Sequence, residues 1–458
     1  MINSIVIIIL IATIGSLLVT RKIDLFQVFI FFLPFSQLAY DIGLTIYLYQ
    51  LILLLLILII LFKYRDVVIS NTTMYLYLLY VVVSTMLIST FFIDEYLDLG
   101  GYFRSNGRFI SQIIVYLLMF STVFVSSHYI RKNSSFLQYF KIYIASIAVL
   151  CLLGFVQVLM FYFVGHDVFP LSIVSGLERE PAIFGRTIGL YVFRMSSFAG
   201  EPKSLAVHAV AAYFILQVFN YNKIRLFSLD NKLKVLFVCS LLATLSTGGY
   251  VLFTIIFIVV MVMRLFTSNS LSFRYINKGT IFGFTILLFT GLIWYIFYDL
   301  VSIVFQNRIL DRDIFSEDFD YVVKSFLINN PDWIYFGSGL GNIHNLSADY
   351  IPDKSLRYMA DSIFVAKSGY LRLLSELGAV GLILFLSFNY AIYHRLGIHL
   401  KSNIGAIDKR YIRSIRTIFV VVTLMYLARG YAFGIYIIFL SIINSLAYWK
   451  GFYYRRKI

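Results

Sequence analysis

Long apolar runs separated by short polar segments make up most of the chain, and Ile5 to Val19, Leu51 to Phe62 and Phe282 to Phe297 are examples. A transmembrane α-helix needs about 20 predominantly apolar residues. A soluble core does not enclose so many helices that are apolar on every side. The pattern therefore predicts an all-α, polytopic integral membrane protein with one membrane domain over residues 1–458.

The apolar runs predict about 12–13 transmembrane helices. The predicted spans are Ile2–Thr20, Leu25–Tyr40, Ile42–Phe62, Thr72–Ile93, Phe109–Ser126, Leu137–Val164, Leu205–Phe219, Leu233–Ser246, Gly248–Met263, Gly279–Phe305, Leu373–Tyr393, Ile415–Ala428 and Tyr431–Tyr448. The first run lacks the basic start and small-residue cleavage site of a signal peptide, so it is interpreted as a retained helix. Divisions between spans are placed at Gly248–Gly249 and at Arg429–Gly430.

Basic residues outnumber acidic ones, 38 to 23, and the formal net charge is +15. The excess lies in alternate loops, such as Lys63–Arg65, Lys223–Lys234 and Arg395–Arg416. Because basic loops of membrane proteins stay on the cytoplasmic side, this charge predicts topology and does not indicate a nucleic-acid partner. The resulting orientation places Met1 outside and Ile458 inside.

The cysteine and histidine motifs for metals, and the phosphate-binding loop for nucleotides, do not appear in the sequence. Neither C-x-x-C nor H-E-x-x-H occurs, and no phosphate-binding loop follows a strand, so no metal and no cofactor is predicted. Cys151 and Cys239 both fall within predicted spans, where we expect inert core thiols without a disulfide.

The first of two long external loops covers residues 165–204 and mixes charged with aromatic residues, which predicts a folded segment with short helices on the membrane surface. Pro202 disfavours a helical Glu201 and favours a helix that begins at the proline. Lys203 then lies in the first helical turn, where backbone N–H groups attract anions. The loop therefore predicts a phosphate site, whereas the alternative is ion pairs with neighbouring glutamates. The arginines concerned are Arg186 and Arg194.

The second external loop covers residues 306–372, and we expect short helices on the membrane surface there. Arg308 and Arg312 near its start are candidate phosphate ligands. Tyr335–Asn342 contains three glycines, which let backbone approach a ligand closely. His344 follows, either as a substrate-binding residue or as an ordinary surface histidine.

The second loop closes with Lys367–Gly381, which combines charge with glycine. Arg372 and Glu376 are i, i+4 neighbours on a helix. They either form a structural pair, or Glu376 orients Arg372 toward a phosphate. Gly378 and Gly381 permit a kink or a close helix contact.

Arg429 is predicted to lie at the outer end of the penultimate span. An arginine at this depth is costly unless its charge is satisfied. It therefore either binds an anionic partner or extends its side chain to the aqueous interface.

Two segments resemble the superfamily of bacterial O-antigen ligases and polymerases. The segment from Arg194 to Ala206, with Glu201-Pro202 at its centre, resembles the "R…F…EP…A" segment of O-antigen and capsule polymerases. Lys367–Gly381 resembles the last-loop motif of the superfamily.

This resemblance implies a membrane core like that of the lipid-dependent glycosyltransferases of the glycosyltransferase-C type. It implies polymerisation of repeat units linked to undecaprenyl pyrophosphate, at the periplasmic side of the bacterial inner membrane. The implied partners are undecaprenyl-pyrophosphate-linked glycans, membrane lipid and a chain-length regulator protein.

Loops and resemblance together define the candidate site. The candidate catalytic residues are Arg194, Glu201, Arg372 and Glu376. The candidate substrate-binding residues are Arg186, Lys203, Arg308, Arg312, His344, Lys367 and Arg429. Arginines suit a pyrophosphate leaving group because they donate bidentate hydrogen bonds to phosphate oxygens. Glu201 is the preferred base, followed by Glu376 and His344, and we expect both loops to line one external pocket.

Two departures from the superfamily pattern affect this interpretation. Lys367 holds the position of the histidine of the ligases, which favours a polymerase. Ser246-Thr247-Gly248 stands where the family often has Ser-Arg-Gly, so that arginine is absent or supplied elsewhere. The alternatives are an O-antigen ligase that transfers glycan to lipid A-core, a lipid-oligosaccharide flippase or small-solute transporter, and a non-catalytic scaffold.

Overall fold

The computed structural model describes residues 24–36, 38–41, 45–63, 71–91, 108–132, 136–165, 183–184, 192–267, 319–347, 350, 366–401 and 406–448. The predicted spans Ile2–Thr20 and Gly279–Phe305 lie outside the described residues, as do the candidate ligands Arg186, Arg308 and Arg312.

Helices dominate the described residues. In chain order they are α1 Leu25–Phe32, α2 Leu48–Lys63, α3 Thr72–Phe91, α4 Arg108–Phe120, α5 Thr122–Lys132, α6 Leu137–Val164, α7 Pro202–Tyr221, α8 Asp230–Ala243, α9 Thr247–Thr267, α10 Phe319–Asn329, α11 Trp333–Phe336, α12 Ile343–Leu346, α13 Gly369–Lys401, α14 Ala406–Ala428 and α15 Phe433–Tyr448. Short 3-10 helices cover Ser197–Ala199 and Gly430–Ala432. Two antiparallel hairpins pair β1 Ala39–Asp41 with β2 Thr45–Tyr47, and β3 Ile183–Phe184 with β4 Val192–Phe193.

Eight helical segments in the described part of the chain are long and apolar enough to cross a membrane, which confirms a multi-pass membrane protein. They are Thr72–Thr90, Phe109–Ile130, Leu137–Val164, Pro202–Tyr221, Thr247–Arg264, Gly369–Lys401, Asp408–Ala428 and Gly430–Tyr448. The bounds of α6 are those that the sequence predicts, and the helix ends where Gly165 takes a left-handed conformation with φ 76°.

The start of α7 is also as predicted. Pro202 occupies its first turn, and Glu201 before it is extended, with φ −135° and ψ 147°. The second loop contains the expected short helices α10, α11 and α12 within its described residues. The described part of the first loop instead contains the β3–β4 hairpin and a 3-10 turn.

The prediction of one span over Leu25–Tyr40 is wrong. Helix α1 ends at Phe32, because Pro34 has no N–H to continue the helical ladder. The chain then forms the β1–β2 hairpin, in which Ala39 lies opposite Tyr47. The next helix accordingly begins at Leu48 and not at Ile42.

The division at Gly248–Gly249 is also wrong, since α8 ends at Ala243 and α9 already begins at Thr247. Leu245, with a positive φ of 47°, makes the turn between them. Gly249 serves packing instead: a Cβ there would lie 2.7 Å from the Cβ of Ala206 on α7. Of the two cysteines, Cys151 is buried as expected, but Cys239 is exposed on α8.

Helix α15 forms the centre of the bundle, since every residue from Ile435 to Ala447 is buried. It packs against α5, α13 and α14. Small polar residues join it to α5, because the Ser126 hydroxyl donates to the Ser441 carbonyl at 2.9 Å. This core fixes the ends of the helices that carry the candidate site.

Candidate functional site at one end of the bundle

Segments from both long loops meet at one end of the bundle. The closing residues of the first loop join the end of α8, where the Met195 N–H donates to the Ala243 carbonyl at 3.1 Å. The residues that close the second loop join the 3-10 helix before α15, where the Gly430 N–H donates to the Lys367 carbonyl at 2.8 Å. The amine of Lys203 lies 4.4 Å from the ring centre of Tyr431, which connects the two groups.

Arg194 is half-buried beside the turn between α8 and α9. Its Nε donates to the Thr244 carbonyl at 3.2 Å. The following backbone is held by α6, because Gln157 Oε1 accepts from the N–H groups of Ser196 at 3.2 Å and Ser197 at 2.7 Å. The motif segment is thus anchored to a transmembrane helix at the arginine's position.

Glu201 and Lys203 form an exposed ion pair at the start of α7. Their carboxylate and amine are 2.6 Å apart, and the side chains are 36% and 40% exposed. Although Glu201 holds the N-cap position, its side chain does not cap the helix. An exposed pair of this kind contributes little to stability.

The Arg429 guanidinium lies directly against Gly248 in the first turn of α9. A Cβ at Gly248 would be 2.7 Å from Nη2, so only a glycine leaves room for this arginine. The Arg429 side chain has no hydrogen bond or ion pair with any residue that the structure describes. Ser246 accepts the Gly249 N–H at 3.3 Å, whereas the described residues give the N–H groups of Thr247 and Gly248 no acceptor.

This placement of Arg429 is electrostatically unusual. Helix N-termini favour negative charge, and a cation there is normally unfavourable. A guanidinium and two N–H groups that have no acceptor among the described residues therefore form a site that favours an anion between them. The sequence suggested an anionic partner for Arg429 as one of two alternatives. It did not predict that the first turn of α9 lies beside the guanidinium.

Arg372 and Glu376 form the i, i+4 pair that the sequence predicts, with Nε and Oε2 3.1 Å apart. The Glu376 side chain is 3% exposed and that of Arg372 26%. A second donor, the N–H of Gly341, lies 3.4 Å from Glu376 Oε1. The carboxylate is thus already neutralised within the protein.

The glycine segment Tyr335–Asn342 packs against a break in α13. At the break Gly378 leaves the helical conformation, with φ 68°. The N–H groups of Ser338 and Gly339 donate to the carbonyls of Ser375 and Glu376, at 2.8 Å and 2.7 Å. These glycines therefore let one stretch of backbone approach another, and their N–H groups are not directed at a ligand.

The sequence motifs do not predict the structural role of Asp320. Its Oδ1 accepts the N–H groups of Lys367 at 2.6 Å and Ser368 at 3.3 Å, so it caps the entry to α13. Asp320 also belongs to one of two Asp-x-Asp spacings, at 318–320 and 311–313, which suit carboxylate ligands of a divalent cation. The other aspartates of these spacings lie outside the described residues, among which no group of three metal-binding side chains occurs.

The structure thus brings Arg194, Glu201, Lys203 and Arg429 to one end of the bundle, beside the backbone of Lys367. The Arg372–Glu376 pair lies farther along α13 and contacts the core. His344 is in α12, and its side chain is outside the described part. A common pocket for both loops stays a prediction.

An apolar groove of about 450 Å³ runs along α3 and ends at Phe336 in the second loop. Its lining residues are Leu76, Leu79, Tyr80, Val83, Ser84, Leu87, Ile88 and Phe336. The Tyr80 hydroxyl donates to the carbonyls of Phe336 and Leu377, at 3.1 Å and 3.0 Å. The groove therefore borders the break in α13.

No family model matches this chain, and no curated protein is similar enough to count as a relative.

Proposed function

We propose that this chain is a polysaccharide polymerase of the bacterial inner membrane. It transfers a growing glycan from undecaprenyl pyrophosphate to an incoming lipid-linked repeat unit at the periplasmic face. The observation that carries the proposal is the Arg429 guanidinium at the N-terminus of α9, without an acceptor among the described residues. A pyrophosphate group supplies the oxygens that this arginine and the N–H groups of Thr247 and Gly248 require.

The same observation accounts for a departure from the superfamily pattern. Thr247 stands where the resemblance leads us to expect an arginine between two central helices. Arg429 places its guanidinium against the next residue, Gly248. We interpret Arg429 as the arginine that is supplied from elsewhere in the sequence.

The proposed reaction needs no nucleotide, because the donor glycan already has an activated leaving group. A hydroxyl of the acceptor repeat unit attacks the anomeric carbon of the growing glycan. The bond from this carbon to the pyrophosphate oxygen breaks, and its electron pair leaves with the pyrophosphate. The hydroxyl proton passes to Glu201, while Lys203 moves from the carboxylate to a phosphate oxygen. Arg194 and Arg429 stabilise the departing charge.

Lipid-linked substrates also require an apolar path for the polyprenyl chain. The groove along α3 is apolar over its length and reaches the second loop at Phe336. Its position supports an entry from the membrane for the lipid tail, with the glycan on the aqueous side.

Relocating the arginine tests the proposal. Purified full-length protein in lipid vesicles is given lipid-linked repeat units, and glycan length and released undecaprenyl pyrophosphate are measured. We expect Arg429→Ala to abolish elongation and Thr247→Arg, added to Arg429→Ala, to restore part of it. Thr247→Leu in the same background is the matched control and should restore nothing.

Other outcomes separate the alternatives. Transfer of glycan to lipid A-core, without elongation of repeat units, identifies a ligase. Movement of lipid-linked glycan across the vesicle membrane without any transfer identifies a flippase. Normal elongation by Arg429→Ala contradicts the assigned role of this arginine.

A further inference from the structure

The end of the bundle opposite to Arg429 carries arginines that stack on tyrosines. Helices α7, α9, α13 and α15 all begin near Arg429 and run toward this opposite end. The described residues form three stacks there, with the guanidinium carbon 4.3, 5.7 and 3.8 Å from the ring centre. In that order they are Arg264 on Tyr221, Arg395 on Tyr448 and Arg416 on Tyr393.

Arg416 is the closest of the three stacks, and its charge is unsatisfied within the described residues. Its Nε is buried and has no hydrogen-bond partner. The guanidinium lies along α13 beside Gly397, where a Cβ would be 3.5 Å from Nη2. The described part of the chain offers no acceptor to its other N–H groups. A guanidinium that lies over an aromatic ring can still donate hydrogen bonds to an anion.

Further cations line the same face of α14. Lys409 and Arg413 precede Arg416 at i, i+4, i+7 spacing, which places the three side chains along one stripe. Lys401 continues the face of α13 that carries Tyr393 and Gly397, because these residues are spaced by four.

Acidic residues do not balance this stripe. The sequence from residue 394 to residue 416 contains six lysines and arginines and one acid, Asp408. Asp408 already has an interaction partner. The described structure gives Lys401, Lys409 and Arg413 no ion pair.

We propose that the basic stripe of α14, where Arg416 lies against α13, binds the headgroup phosphate of an anionic phospholipid. Arg416 lies one residue inside the apolar run Ile415–Ala428, so its guanidinium is level with the boundary between headgroups and hydrocarbon. A lipid phosphate at that level meets the fork of Arg416, with Lys409 and Arg413 toward the aqueous side. This inference is independent of the proposed polymerase activity.

A lipid titration tests the site. Full-length protein in neutral detergent is titrated with phosphatidylglycerol, with phosphatidylcholine and with inorganic phosphate, and its thermal unfolding temperature is followed. We expect phosphatidylglycerol alone to raise the unfolding temperature of the unchanged protein. Arg416→Ala should weaken the apparent affinity about fivefold, the effect of one cation at a membrane surface. Arg416→Lys should give an intermediate loss.

Arg410→Ala is the matched control, since Arg410 is an exposed arginine of α14 outside the stripe. It should leave the lipid response unchanged. Equal losses in Arg410→Ala and Arg416→Ala, or equal responses to the two lipids, overturn the proposal. Stabilisation by inorganic phosphate without lipid overturns the lipid as the source of the phosphate. If Arg416→Ala does not fold, Arg413→Ala replaces it, and an unchanged lipid response then overturns the site.

Discussion

Arg372 and Arg429 are both arginines of membrane-spanning or adjoining segments, but their surroundings differ. Arg372 contacts a carboxylate whose side chain is 3% exposed. Arg429 contacts a helix N-terminus and has no acceptor within the described residues. The first charge is neutralised inside the protein, whereas the second has no counter-charge among the described residues. The comparison teaches that an arginine's depth is a weaker guide to ligand binding than the presence of an internal counter-charge.

The largest predicted effect is on the neutralised pair. Glu376→Ala leaves Arg372 without its counter-charge in the core, and we expect a loss of about 3–5 kcal/mol of stability. Denaturant unfolding of the detergent-purified protein measures it. The double variant Arg372→Met, Glu376→Leu should be more stable than Glu376→Ala and recover most of the loss, because both charges are removed together. A stable Glu376→Ala protein contradicts the structural role of the pair.

Displacing Arg429 should affect activity and leave stability nearly unchanged. In Gly248→Ala the new Cβ collides with the tip of a flexible side chain, so the guanidinium moves and the helix does not. We expect elongation to fall about tenfold, or about 1.4 kcal/mol in transition-state binding. Glycan length distributions measure the loss. Gly397→Ala, where the Cβ only touches Arg416 at 3.5 Å, is the control and should elongate normally.

Removing the cap of α13 should have a smaller effect. Asp320→Ala frees the N–H groups of Lys367 and Ser368, which costs about 1 kcal/mol. The decrease in the thermal unfolding temperature measures this loss of stability. Asp332→Ala is the control, because the Asp332 side chain makes no capping bond at the start of α11. Equal unfolding temperatures for the two variants would exclude a capping role.

The smallest effect is expected at the exposed pair. Lys203→Ala breaks an ion pair whose partners are both more than a third exposed, so stability should change by less than about 1 kcal/mol. Elongation should nevertheless fall if Lys203 binds a phosphate oxygen. A fall in stability without a fall in elongation would assign Lys203 to the fold alone.

Local features of the fold were predictable where neighbouring residues decide them. The bounds of α6 follow from an unbroken apolar run, and the start of α7 follows from Pro202. The predicted span over Leu25–Tyr40 is wrong because Pro34 ends the helix within an otherwise apolar run.

The site was only partly predictable, since its geometry depends on contacts between distant parts of the sequence. Arg372 and Glu376 are four residues apart, so helical periodicity predicts their contact. Arg429 and Gly248 lie on different helices, and no periodicity relates them. Asp320 and Lys367 are also far apart in the sequence, so their hydrogen bond could not be predicted from local spacing.

The contact between Gly337 and Gly378 has a consequence for sequence variation. A Cβ on Gly337 would strike the backbone N of Gly378, and a Cβ on Gly378 would strike the backbone N of Gly337. Both residues also have positive φ, 77° and 68°. Since each new Cβ would collide with backbone atoms, a second side-chain substitution cannot remove the collision that the first one causes. In a library of all single and paired substitutions, these two sites should accept glycine alone, without the compensating pairs that neighbouring side chains provide.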